Sequence, residues 1–112
     1  MHLKTAAQVN SARHKQPIAT AGIVTCRQRP STASGVTFVT LEDETGTVNV
    51  VVWRATAEKY RRELLGSTLL TVYGHMERVE AAAVPVVHLI ASRLSDQSHL
   101  LGDLTVASRD FY

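Results

Sequence analysis

Between Gly35 and Trp53 the chain reads GVTFVTLEDETGTVNVVVW, two β-branched runs on either side of an acidic turn. Val36 to Glu42 alternates, Glu44-Thr45-Gly46 is turn chemistry with a glycine free to take positive φ, and Thr47 to Trp53 is β-rich again. Two such runs joined by a short glycine-containing loop predict a β-hairpin. Its faces differ: Thr37, Val39 and Leu41 make one apolar row, and Phe38, Thr40 and Glu42 lie on the other. A ring set between polar residues on a strand face is either buried as core or offered to a flat ligand. Which of the two holds decides what this surface does.

The same reading extends along the chain. Ile18 to Arg29, IATAGIVTCRQR, predicts a long strand bent at Gly22, because a glycine inside a strand marks a bulge or a close backbone approach. Straight alternation puts Val24 and Cys26 on one face and Thr25, Arg27 and Arg29 on the other. Pro30 to Gly35 is a polar loop that lacks the Gly-Lys-Ser/Thr of a phosphate-binding loop. Ala55 to Leu65 predicts a helix, with Ala57, Tyr60 and Leu64 as its apolar stripe, Glu58 and Arg62 as an i,i+4 pair and Gly66 at the C-cap. Leu69 to Glu77, kinked at Gly74, and Val86 to Leu94 are the fourth and fifth strands, joined through Arg78–Pro85. Trp53, ending a strand directly before the helix, is expected in the core, and His88 partly buried.

At the start, Thr5 is the expected N-cap of a short helix that Pro17 terminates. At the end, Ser95-Asp96-Gln97-Ser98 caps a last turn through His99-Leu100-Leu101, stopped by Gly102. The order is strand, strand, strand, helix, strand, strand. That order defines an all-β, five-stranded OB-fold Greek-key barrel with one helix between strands 3 and 4. It occupies 18–102, between an N-terminal extension over 1–17 and a flexible C-terminal tail over 103–112.

Composition narrows the chemistry. A chain of 112 residues that is 45% hydrophobic makes one domain with a modest core. A single cysteine, Cys26, excludes an internal disulfide and a paired-cysteine zinc site, and fits a reducing cytoplasm. No apolar run approaches the ~20 residues of a membrane span, and the first 17 residues have no apolar stretch of a secretion leader. Net charge is +2, but no acidic residue precedes Glu42, whereas Lys4, Arg13, Lys15, Arg27 and Arg29 all do. A one-sided basic segment is the footprint of a polyanion binder, and equally of a solvated surface.

Catalytic groups do not converge. Glu42, Asp43 and Glu44 are consecutive at a hairpin tip, where acidic residues form turns. The five histidines are scattered without the i,i+4 spacing of a zinc site, and Cys26 has only Arg27 beside it, aimed away. The expectation is a binding domain with no catalytic residue, metal or cofactor.

Three segments carry a specific resemblance. Val24-Thr25 leading to Arg27-Gln28-Arg29-Pro30, Gly35 through Thr40 into Leu41-Glu42-Asp43-Glu44-Thr45-Gly46, and Asp96-Gln97-Ser98-His99-Leu100-Leu101 resemble, in family order, the OB domain near the C-terminal end of bacterial error-prone DNA polymerases. These are C-family enzymes related to the polymerase III alpha subunit. The closing Ser108-Arg109-Asp110-Phe111 also resembles that family's end. The resemblance implies a part in DNA replication and repair and in damage-induced mutagenesis. The catalytic carboxylates of such nucleotidyltransferases lie in a palm domain far upstream, and none of it is in this chain. The hairpin also resembles the anticodon-binding barrels of class II aminoacyl-tRNA synthetases, in which the aromatic at the position of Phe38 stacks on a base.

The expected activity is single-strand binding across the open barrel face. Phe38 stacks on a base, Arg27 and Arg29 on the neighbouring strand meet phosphates or a base edge, and Thr40 and Asn49 add hydrogen bonds. The loops 30–35 and 78–85 wall the groove. Single-stranded DNA is the first expected partner. RNA of the anticodon type is the second, and a polymerase accessory subunit docked on the same face is the third.

Overall fold

The computed structural model describes residues 3–29, 35–79 and 86–98. The strands are β1 (Pro17–Gln28), β2 (Thr37–Asp43), β3 (Gly46–Val52), β4 (Leu69–Val79) and β5 (Val86–Asp96); the helices are α1 (Ala6–Asn10), α2 (Arg54–Lys59) and α3 (Arg61–Gly66). The strands close into one barrel in the order β1-β2-β3-β5-β4. Every neighbouring pair is antiparallel except β3 and β5, which run parallel and meet at Val50↔Leu89 and Val51↔Ile90. This is the five-stranded OB-fold barrel that the order of elements predicted. The bulk of the 30–35 and 78–85 loops, the last turn through Gly102 and the 103–112 tail lie outside the described residues.

The barrel interior is aliphatic, as a chain poor in aromatics must make it. Ile18, Leu41, Leu70, Met76, Leu89 and the inward valines of β2, β3 and β4 are almost wholly buried. β1 serves two neighbours, pairing with β4 from Pro17 to Ile23 and with β2 from Ile23 to Gln28. The handover falls at Ile23, next to Gly22, where an added Cβ would lie 3.0 Å from the Glu42 carbonyl oxygen and 3.1 Å from the Leu41 Cβ. The glycine predicted to mark a bend therefore sits at a close backbone approach that leaves little room for a side chain.

The β2–β3 hairpin turns through Glu44-Thr45, with Asp43 opposite Gly46 at φ 149°. The Asp43 carboxylate organises the turn. Its Oδ1 accepts from the Thr45 N–H at 2.7 Å and the Thr45 hydroxyl at 2.6 Å, and its Oδ2 accepts from the Ala6 N–H at 2.7 Å. The Thr45 hydroxyl first, helped by the N–H groups of Ala6, Thr45 and Gly46, holds the Asp43 carboxyl below its ordinary value against desolvation, the second-largest influence.

Both barrel ends are covered. At the hairpin end sits α1, with Thr5 and Gln8 forming the capping box. Ala6, Val9 and Ala12 join the main core cluster, and Asn10 donates to the Thr47 carbonyl at 2.8 Å. At the other end lies the segment between β3 and β4. One helix over 55–65 was predicted; the chain forms two, broken at Tyr60 (φ −112°, ψ 34°). The break keeps Ala57, Tyr60 and Leu64 all against the core, so the predicted stripe survives. Gly66 belongs to the last helical turn and Ser67 is the C-cap. The i,i+4 ion pair is Arg54 with Glu58 at 3.1 Å, not Glu58 with Arg62.

Candidate nucleic-acid interface

The outward row of β2 is the centre of the candidate surface. Phe38 stands opposite Gln28 of β1 and Val51 of β3, and Thr40 opposite Cys26 and Asn49. Directly opposed residues share a sheet face, so these six side chains occupy one patch. Phe38 is 38% exposed while its neighbours Thr37 and Val39 are buried, which settles the ring on the outside. Asn49 is exposed and Thr40 half-buried. Among the described residues, the side chains of Gln28, Thr40 and Asn49 have no hydrogen-bond partner. Next along the row, Glu42 adds an exposed carboxylate that bounds the patch on the hairpin side.

Beyond Phe38 the outer surface turns apolar. Val36, Val51 and Ile90 form a second small cluster outside the barrel. Trp53 was expected in the core and is instead 52% exposed. The reason is alternation: Val50 and Val52 are buried at 1% and 0%, so the still extended Trp53 (φ −67°, ψ 157°) falls on the outer side. On β5, His88 is half-buried opposite Glu77, as expected.

The two arginines do not join the ring. A bulge between Val24 and Cys26 inserts Thr25, so Val24 faces the core opposite Leu41 while Cys26 faces outward opposite Thr40. Val24 and Cys26 therefore do not share a face, and Arg27 lands opposite Val39, on the inward side. There its Nε donates to the Leu64 carbonyl at 2.7 Å, and a terminal nitrogen donates to the Ser67 carbonyl. Arg27 thus satisfies carbonyls at the end of α3 that the helix leaves unpaired. Arg27 and Arg29 line a cavity of about 300 Å³ together with Arg54 and Arg61 of the helix pair. Arg54 and Arg61 were missed in the sequence because helix-surface arginines read as solvation. Trp53 and Gln28 were missed too; counting alternation forward from Val52 finds Trp53, whereas Gln28 is found only once the bulge is known.

Among the described residues no group of three or more His, Cys, Asp or Glu side chains could hold a metal ion, and no helix is long and apolar enough to cross a membrane. What the surface offers is a ring, unpartnered amides and a hydroxyl on the wall of a closed five-stranded barrel. That combination defines a nucleic-acid-binding barrel of the OB class. Residues 18–95 match the family model described as the OB-fold nucleic acid binding domain of tRNA anti-codon type, and the chain belongs to that family.

The chain is also similar to part of much longer proteins, resembling the C-terminal part of error-prone DNA polymerase. It is 56% identical over 110 residues to the error-prone DNA polymerase of Alkalilimnicola ehrlichii, covering 98% of this chain and 10% of that protein. It is 60% identical over 99 residues to the enzyme of Pseudomonas fluorescens, covering 88% and 9%. The chain thus spans about a tenth of the length of the curated relatives it matches. Among solved structures, it superposes on asparaginyl-tRNA synthetase from Pyrococcus horikoshii complexed with asparaginyl-adenylate with a TM-score of 0.67 at 20% identity, over 88% of this chain and 23% of that one. Aspartyl tRNA synthetase from Entamoeba histolytica gives a TM-score of 0.67 at 12% identity, over 88% and 22%. These two likenesses are of fold.

Proposed function

We propose that the domain binds single-stranded DNA across the outer face of β1, β2 and β3, as a template-handling module of a cytoplasmic error-prone DNA polymerase acting in replication, repair and damage-induced mutagenesis. The observation that carries the reading is the exposed ring of Phe38, flanked by the unpartnered side chains of Gln28, Thr40 and Asn49. Phe38 stacks on one base, a contact indifferent to base identity because every base has a π-face. Thr40 and Asn49 bond to the edges of that base or its neighbour. Trp53, exposed farther along the same side, extends the apolar surface on which a second base can rest. High identity to error-prone polymerases favours DNA as the ligand. Chemistry on the strand belongs, on this reading, to other parts of the polymerase.

A second reading is RNA binding of the anticodon type, favoured by the family model itself. Anisotropy titrations with labelled DNA and RNA oligonucleotides of one sequence separate the two, since only RNA offers a 2′-hydroxyl. Tighter DNA binding is expected. Tighter RNA binding moves the assignment to the second reading, and no binding of either defeats both.

A further inference from the structure

We infer that the arginine-lined cavity between the end of β1 and the α2–α3 pair binds a backbone phosphate of the same strand, round the edge of the sheet from Phe38. The inference rests on the single-strand reading above. The cavity measures about 300 Å³ and is lined by Arg27, Arg29, Arg54 and Arg61, with Glu58 as the one carboxylate among the described residues. Ala57, Leu64 and Leu65 supply apolar lining. Four cations against one anion are mutually repulsive at short range, and an entering dianion or phosphodiester relieves that repulsion.

Two of the groups, Arg27 and Arg54, are held in place before any ligand arrives. Arg27 is fixed by the carbonyls of Leu64 and Ser67 and keeps further N–H donors unused. The stem of Arg54 packs against Gly35, whose positive φ (67°) brings the backbone so close that an added Cβ would lie 3.0 Å from the Arg54 Cδ. Glu58 holds the Arg54 Nε at 3.1 Å, but both side chains are about two-thirds exposed, at 65% and 69%. Such a pair is weak and exchanges readily for a phosphate. Arg29 and Arg61 have no carboxylate partner among the described residues. The planar fork of a guanidinium matches two oxygens of one phosphate, which an ammonium cannot do.

Connectivity favours a nucleic-acid strand over an acidic peptide. Arg27 and Arg29 flank Gln28, the residue opposite Phe38. The ladder from β1 to β4 stops at Ile23↔Leu69, so the last residues of β1 pair with β2 alone. A strand stacked on Phe38 passes over Gln28 and meets a sheet edge that no other strand among the described residues covers, next to Arg27 and Arg29.

The test is the salt dependence of oligodeoxynucleotide binding for wild type, Phe38→Ala, Arg29→Gln/Arg61→Gln and Arg13→Gln. Arg13 lines a separate cavity beside α1, and its substitution is the control for losing a cation away from the proposed site. Each phosphate neutralised contributes about 0.7 to the log–log slope for a single strand. The Arg29→Gln/Arg61→Gln slope is expected to be shallower by about 0.7, with Arg13→Gln unchanged and Phe38→Ala weaker by about tenfold at an unaltered slope. Wild-type protein that fails to bind the strand overturns the single-strand reading and the phosphate assignment together. A double arginine variant that keeps the full slope, while Phe38→Ala loses affinity, overturns the cavity alone. So does an equal loss of slope in Arg13→Gln, or binding of a poly-glutamate peptide as tight as that of an oligonucleotide of equal charge.

Discussion

Arg27 donates its Nε–H to the carbonyl oxygen of Leu64, 2.7 Å away, and so ties the end of β1 to the end of α3 across the barrel rim. The same guanidinium reaches the Ser67 carbonyl. Hydrogen bonds from a charged donor are worth about 1.5–3 kcal/mol each. Arg27→Met removes both and leaves two helix-end carbonyls unpaired, so a loss of about 2 kcal/mol is expected from urea unfolding. Arg27→Lys restores only part of it, because a single ammonium cannot serve two carbonyls in the geometry of a fork. An unshifted unfolding midpoint in Arg27→Met would contradict the capping role.

Trp53 is the only tryptophan in the chain and stands 52% exposed on the outer side of the sheet. Its fluorescence is therefore a built-in reporter of bases arriving on that surface. Quenching on addition of single-stranded DNA is expected, with a midpoint that matches anisotropy. Phe38→Ala should shift both midpoints by the same ~1–3 kcal/mol while leaving the fold intact. Emission that ignores saturating oligonucleotide would place the strand elsewhere.

Gly74 and Gly66 make opposite predictions. A Cβ at Gly74 would lie 1.9 Å from the Ile90 carbonyl oxygen, backbone that cannot step aside at the Tyr73/Gly74 bulge. Gly74→Ala should cost about 3 kcal/mol or more, or abolish folding. A Cβ at Gly66 meets nothing within 4 Å, and the residue is helical. Gly66→Ala should gain about 0.5–1 kcal/mol. Thermal melts of the two variants moving in the same direction would contradict the packing described at one of them.

Asp43 makes the fold acid-sensitive. Its carboxyl is held below the ordinary value of 3.8, so its contribution to stability is complete above that value and is lost as pH falls through the lower folded-state value. Asp43→Ala should therefore unfold earlier than wild type at pH 7, with the gap closing as the pH falls below 3.8. A gap that stays constant across that range would exclude the carboxylate as its source.

The fold was legible because its signals are local and agree with one another. Alternation in Val36–Glu42 put Phe38 opposite to Val39, and the acidic turn ending in Gly46 fixed the hairpin register. Gly22 and Gly74 announced where a neighbouring backbone comes close. The site was half legible. One residue bulged at Thr25 reverses the parity of everything after it, and no hydrophobic pattern marks such an insertion in a half-exposed strand end. That single step carried Arg27 from the ring's side to the rim. The fate of its charge was hidden for a different reason. The carbonyls it caps belong to residues 37 and 40 positions later, and only the closed barrel brings them near.

The short helix before β1 has a practical consequence for anyone cutting this domain out of a longer chain. The family match starts at Ile18, but the apolar stopper at the hairpin end is furnished by Ala6, Val9 and Ala12. An expression boundary drawn at the start of the match would uncork the barrel, wet Val48 and its neighbours, and strip Asp43 of the amide it holds at Ala6. Such a trimmed product should behave as a sticky, loosely packed species, and one beginning before Thr5 as a well-behaved monodisperse one.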